Sequence, residues 1–133
     1  MFFDSTFGSK QQGNVAVSFA IAYYTTKKWI VSIPLNDSQD YDLLVEDTEG
    51  FIYKVQVKST RYTGRTGKYV AELGSSGGTR GTVYKDVCSS KVDYLFIMTA
   101  EGSFYEIPLI DLTESVKSMT LGDKYEKFKV KIW

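Results

Sequence analysis

Residues Tyr41–Thr60 read YDLLVEDTEGFIYKVQVKST. Two runs rich in β-branched and aromatic residues flank DTEG, a turn signal. The stretch is therefore expected to form two strands, Tyr41–Asp47 and Phe51–Ser59, paired antiparallel through a tight turn. Side chains alternate along a strand. Ile52, Lys54, Gln56 and Lys58 then share one face, and Phe51, Tyr53, Val55 and Val57 the other. Gln56 and Lys58 point the same way, beside a strand carrying Asp42. Two readings are open at this point: solvated polar residues on a wet face, or groups that surround a metal ion and a phosphate.

Upstream of this hairpin, Gln11–Lys28 is expected to be a helix, with Val17, Ala20, Ile21 and Tyr24 as its apolar stripe. WIVSIP (Trp29–Pro34) reads as a strand ended by proline. Downstream, KYVAEL reads as a strand between two glycine-rich loops, YTGRTG and GSSGGTRG. VYKDVCSS reads as a helical turn, and VDYLFIMT as a strongly apolar, central strand. FYEIPL follows as a strand, DLTESVKSM as a helix capped by Asp111 or Thr113, and KFKVKIW as an edge strand with one wet face. The order implies an α/β (α+β) fold around a mixed central sheet flanked by helices, with residues 1–133 as a single domain.

Composition narrows the chemistry. The chain has 133 residues and enough apolar content for one real core. It has no histidine, which removes Ser-His-Asp and Cys-His catalysis, histidine metal clusters and histidine general bases. The single cysteine, Cys88, excludes an internal disulfide and fits a reducing cytosol. Without histidine to activate it, Cys88 reads as a small buried residue. No apolar run approaches a membrane span, and the first residues do not read as a signal peptide, so a cytoplasmic location is expected. GRTGKY departs from a phosphate-binding loop, because only two residues, where four are needed, separate Gly64 from Gly67, and Tyr69 follows Lys68.

Net charge is zero, yet it is unevenly spread. Between Ser59 and Lys85 stand Arg61, Arg65, Lys68, Arg80 and Lys85 against Glu72 alone. A second basic run, KYEKFKVKIW, ends the sequence. Locally basic segments in a neutral protein suit a polyanion partner as well as a solvated loop.

Phosphodiester cleavage without histidine is feasible around a hard cation held by carboxylate and carbonyl oxygens, with a lysine beside it. This needs an acid on one strand and, on its neighbour, an oxygen ligand two residues before a lysine. Asp42, Gln56 and Lys58 fit that pattern, and the carbonyl of Val57 lies between the last two.

The runs GNVAVSFAIAYYTTKKWIVSIPL, YDLLVED and YKVQVKST resemble the PD-(D/E)XK nuclease superfamily. They are most similar to the small branch of cyanobacterial group I intron-encoded homing endonucleases, in which the motif reads Q-x-K. VDYLFIMTAEGSFYEIPL resembles the same branch. The resemblance implies a restriction-endonuclease-like core and sequence-specific cleavage of double-stranded DNA dependent on Mg2+ or Mn2+. It also implies a homodimer or homotetramer that sets two sites across a duplex. Carried over by position, Asp42 holds metal, Gln56 contributes an oxygen to it or orients water, and Lys58 assists the attacking water; the Val57 carbonyl, from the strand spacing, is a further metal ligand. One position departs: where the family carries a helix glutamate, this sequence has Val17. Asn14 and Asp40 are the alternative polar groups. A structure-selective junction resolvase and a catalytically impaired nucleic-acid-binding module on the same fold are the rival readings.

Residues 60–85 are expected to be a DNA-reading β arm, since a two-stranded ribbon fits the major groove and arginine pairs with guanine. Arg61, Arg65, Lys68, Arg80 and Lys85 are its candidate DNA contacts. A subunit of 15.0 kDa covers about one half-site, roughly ten base pairs.

Overall fold

A computed structural model describes residues 1–36, 39–73, 92–112 and 117–133, with the backbone of 75–76 and 82–83. Helix α1 spans Ser9–Thr26 and starts slightly earlier than expected. Its entry is closed by the Gln11 side chain, whose Oε1 accepts the Gly8 N–H at 3.0 Å. Ala16, Ala20, Tyr23 and Tyr24 form its buried line, and Val17 and Ile21 pack at its margins. The helix ends at Lys27, and Lys28 takes a left-handed φ of 65° to turn the chain into the sheet.

Ten strands follow among the described residues: β1 Ile30–Ser32, β2 Leu43–Glu46, β3 Ile52–Thr60, β4 Val70–Glu72, β5 Ser75–Ser76, β6 Thr82–Val83, β7 Tyr94–Thr99, β8 Phe104–Pro108, β9 Ser118–Thr120 and β10 Lys129–Val130. Six of them make one mixed sheet, ordered β1-β2-β3-β7-β8-β10. Only β3 and β7 run parallel; β2 and β3 form the antiparallel hairpin expected from DTEG. A parallel pair needs a long crossover, and here residues 61–93 supply it. Within that crossover β5 and β6 pair with each other, and β4 pairs with the later β9.

Alternation on the strands builds a core on each sheet face. Leu43, Val45, Val55, Phe96, Met98 and Phe104 meet α1 on one face. Leu95, Ile97, Tyr105 and Ile107 face the other way, beneath Ala71, Leu73, Met119, Leu121 and Tyr125. The second layer is thus the β4–β9 ribbon and a 3-10 helix, Asp123–Phe128. The apolar strand read as central is central, with Leu95–Thr99 buried.

The helix expected over DLTESVKSM is corrected at both described ends. Leu109–Asp111 is one 3-10 turn, and Ser118–Thr120 is a strand. Pairing with β4 buries Met119 against Ala71, and this non-local burial overrides the local helical reading. Residues 113–116 lie outside the described residues, as do 84–91, which hold Cys88 and most of the expected helical turn. Val83, the first residue of that turn, is in β6.

The first eight residues strap the sheet. The Phe2 N–H donates to the Ala100 carbonyl at 2.7 Å, and Phe3 is buried in the helix-side core. The Phe2 ring lies against Gly102, where any Cβ would meet it at 2.3 Å and φ is +87°. Among the described residues no helix is long and apolar enough to cross a membrane.

Candidate active site

The hairpin opens at the residue that matters. The β2–β3 ladder ends at Leu43 opposite Val55, and one step further along the register places Asp42 opposite Gln56. The Asp42 N–H still donates to the Val55 carbonyl at 2.8 Å. Its carboxylate then takes over from the departing backbone: Oδ2 accepts the Val57 N–H at 2.7 Å. In a strand, a residue's N–H and C=O point to the same side. The Val57 carbonyl therefore also faces the fork left by β2, next to the carboxylate. Gln56 and Lys58 lie on the sheet face away from α1, because Val55 and Val57, which alternate with them, pack on the α1 side.

Electrostatics follow from this crowding. Burial against surrounding chain pushes the Asp42 carboxyl above its ordinary 3.8, while the Val57 amide and the Lys58 charge pull it back. Burial pushes the Lys58 ammonium below its ordinary 10.5, and the Asp42 charge holds it up. Each group is kept charged in part by the other. The result is an acid and a cation, mutually dependent, at an open strand end.

Val17 packs among apolar neighbours at the helix–sheet interface and offers no ligand atom. Asn14 is exposed on α1, and Asp40 is half-buried two residues before Asp42. The helix residue that reaches the motif strand is Gln12, whose Nε2 donates to Ser59 Oγ at 3.0 Å. Sequence reasoning passed over Gln12. Its only signal was a polar residue near the helix start, and no local pattern relates it to Ser59. Among the described residues no group of three His, Cys, Asp or Glu side chains is arranged to hold a metal. Metal binding at this site would thus draw on amide and carbonyl oxygens beside Asp42.

The candidate DNA contacts separate by position. Arg61 reaches back to the N-terminal strap, where its Nη1 donates to the carbonyls of Asp4 (2.5 Å) and Phe7 (2.9 Å). Beyond it the chain makes a hairpin: Val70 N–H bonds to Tyr62 C=O, Gly64 N–H to Lys68 C=O, and Thr63 bridges Tyr69. Gly67, at φ +76°, turns the tip and leaves Arg65 exposed there. Lys68 is exposed and crosses Gly122. Thr60 Oγ1 donates to the Val70 carbonyl at 2.5 Å and ties the arm to the strand bearing Lys58. Arg80 and Lys85 lie outside the described residues.

A model of the PD-(D/E)XK endonuclease family matches residues 7–129. The solved structure of a bacterial homing endonuclease, I-Ssp6803I, is 28% identical and superposes with a TM-score of 0.72, covering 91% of this chain and 82% of that one. The structure of MepB is 11% identical, with a TM-score of 0.46 over 86% of this chain and 95% of that one. No curated protein sequence matches.

Proposed function

From the premise that this chain belongs to the PD-(D/E)XK endonuclease family, we propose that it hydrolyses double-stranded DNA at a specific sequence, with a divalent cation, as a homing endonuclease. The observation that carries this reading is the Asp42 carboxylate anchored on the Val57 N–H at the strand fork, electrostatically coupled to Lys58. One Asp42 oxygen is engaged by the amide. The other, with the Gln56 amide oxygen and the Val57 carbonyl, makes an all-oxygen donor set that suits a hard cation such as Mg2+ or Mn2+. When bound, such an ion polarises the phosphate and makes a water more acidic.

The chain's own residues do the rest. Asp42 is held in one orientation by the Val57 N–H, so its second oxygen is positioned before any ligand arrives. Gln56 contributes a neutral oxygen on the same face. Lys58 orients the attacking water and stabilises negative charge as it develops on the phosphate. Arg65 and Lys68 hold the duplex from the adjacent hairpin, with Arg80 and Lys85 as further contacts. Arg61 acts on the scaffold through the Asp4 and Phe7 carbonyls. A homodimer or homotetramer would set two such sites across the duplex.

The test is cleavage of plasmid libraries with and without magnesium, followed by mapping of the ends. Wild type is expected to cut at defined positions only with metal. Lys58→Ala is expected to lose at least about 100-fold in rate while still binding DNA. Undiminished cutting by that variant would exclude Lys58 from the chemistry. Val17, packed in apolar surroundings, favours a second reading in which the protein binds DNA without cutting it. A magnesium and manganese titration that yields binding and no cut ends at any concentration would establish that reading instead.

A further inference from the structure

The two basic runs of the sequence are separated by about forty residues, and the fold brings them together. The β4–β9 pairing sets the hairpin of residues 62–69 beside the chain that leads into the 3-10 helix Asp123–Phe128. The Leu121 N–H donates to the Tyr69 carbonyl at 2.8 Å. The Lys68 side chain then crosses Gly122, where a Cβ would lie 2.9 Å from its Nζ. Lys68 therefore ends at the start of the 3-10 helix that carries Lys124 and Lys127, and that helix runs directly into β10 with Lys129. Lys117, Lys124, Lys127, Lys129 and Lys131 are all exposed, with Asp123 and Glu126 as the carboxylates of the same stretch and Glu72 opposite Ser118 on the ribbon. Glu126 is engaged at 3.6 Å by Lys129.

The sheet register relates this surface to the candidate site. Lys58 pairs with Ile97, Ile97 with Tyr105, and Tyr105 with Lys129. Paired residues share a face, so Lys129 stands on the same face as Lys58, three strands away. Three strand spacings are about 14 Å, comparable to the major-groove width of about 12 Å. The β4–β9 ribbon and the 3-10 helix occupy the layer above the strands between them.

Resting on the endonuclease reading, we propose that Lys124, Lys127 and Lys131 form a second DNA-backbone contact, continuous with Lys68, that grips phosphates a groove away from the scissile one. The occupant of this surface is the duplex itself. A second copy of the chain pairing along the β10 edge is disfavoured, since it would set Lys129 and Lys131 against their own kind. Contacts of this kind position the duplex and carry no sequence information.

The experiment is binding of duplex DNA by anisotropy without divalent metal, over a salt series, for wild type and for Lys124→Gln/Lys127→Gln/Lys131→Gln. Each lost phosphate contact lowers the slope of log affinity against log salt by about 0.9. The triple variant is expected to lose about two to three in slope, with unchanged ranking among target sequences, and the triple Lys→Arg variant is expected to keep the wild-type slope. A triple Gln variant with the wild-type slope, from a protein that binds and cuts DNA normally, overturns this inference alone. A triple Gln variant that alters subunit mass in sedimentation and leaves the slope unchanged makes the surface a self-interface, and also overturns it. Wild type that binds no duplex overturns the endonuclease reading together with the inference.

Discussion

Asp42 is open to solvent at its outer edge and Lys58 is half-buried beside it, yet the packed chain around them shifts both away from their ordinary pKa values. Burial is the largest influence on both, raising one pKa and lowering the other. The signs have a consequence for stability. A carboxyl whose folded pKa lies above 3.8 costs stability while ionised, and that cost disappears as pH falls below 3.8. An ammonium whose folded pKa lies below 10.5 costs stability while protonated, and that cost disappears as pH rises above 10.5. The double variant Asp42→Asn/Lys58→Met is therefore expected to melt above wild type at pH 7 in EDTA. Its advantage should shrink toward both pH extremes, as thermal unfolding across pH will read. Asparagine keeps an oxygen for the Val57 N–H, so the fork itself is preserved. A double variant that melts below wild type at pH 7 would mean that the pair stabilises the fold. Stability given up at a site that needs charge is a familiar trade in enzymes.

At the scale of elements, the site is a fork: two strands that pair, then part at a carboxylate. The hairpin was legible in YDLLVEDTEGFIYKVQVKST, because alternation and a turn signal are local properties. The residues that support the fork were not legible. Gln12 meets Ser59 across 47 positions of sequence, and Arg61 meets Asp4 across 57. Arg61 sits within the basic arm, where charge alone groups it with Arg65 and Lys68. Its guanidinium instead holds the turn before α1. Arg61→Ala is expected to lower stability by about 1.5–3 kcal/mol, the usual worth of a hydrogen bond to a charged group, and to leave the salt dependence of DNA binding unchanged. Urea unfolding and the anisotropy series measure the two effects separately. The misread helix at DLTESVKSM has the same origin as the unread Gln12. Ser118–Thr120 becomes a strand only because β4 is there to pair with it.

Across the whole molecule, the sheet is finished unevenly. The β7–β8 half is covered on both faces. The β1–β2–β3 half is covered by α1 on one face, and on the other Ile30 and Ile52 stand in one row either side of Glu46, 62% and 64% exposed. Phe51, Ile33 and Leu35 are exposed close by in the chain. Grouped apolar exposure of this kind suits an interface between subunits, in keeping with the proposed oligomer. Ile30→Lys/Ile52→Lys is expected to shift sedimentation equilibrium toward smaller species while the monomer keeps its fold by circular dichroism. An unchanged mass would place any subunit contact elsewhere.

The sequence by itself determined the alternating strands, the amphipathic helix, the Q-x-K face with its partner acid, and the exclusion of histidine and disulfide chemistry. Each is a matter of residue type and short spacing, which a chain carries before it folds. Tertiary structure alone decided that Asp42 is tethered by the Val57 amide, that Gln12 rather than Asn14 reaches the motif strand, and that Arg61 serves the scaffold. It also joined the two basic runs through Lys68 and Gly122. Those outcomes depend on which distant segments pack or pair, and the free energy that selects them is non-local burial and hydrogen bonding, which no window of sequence contains.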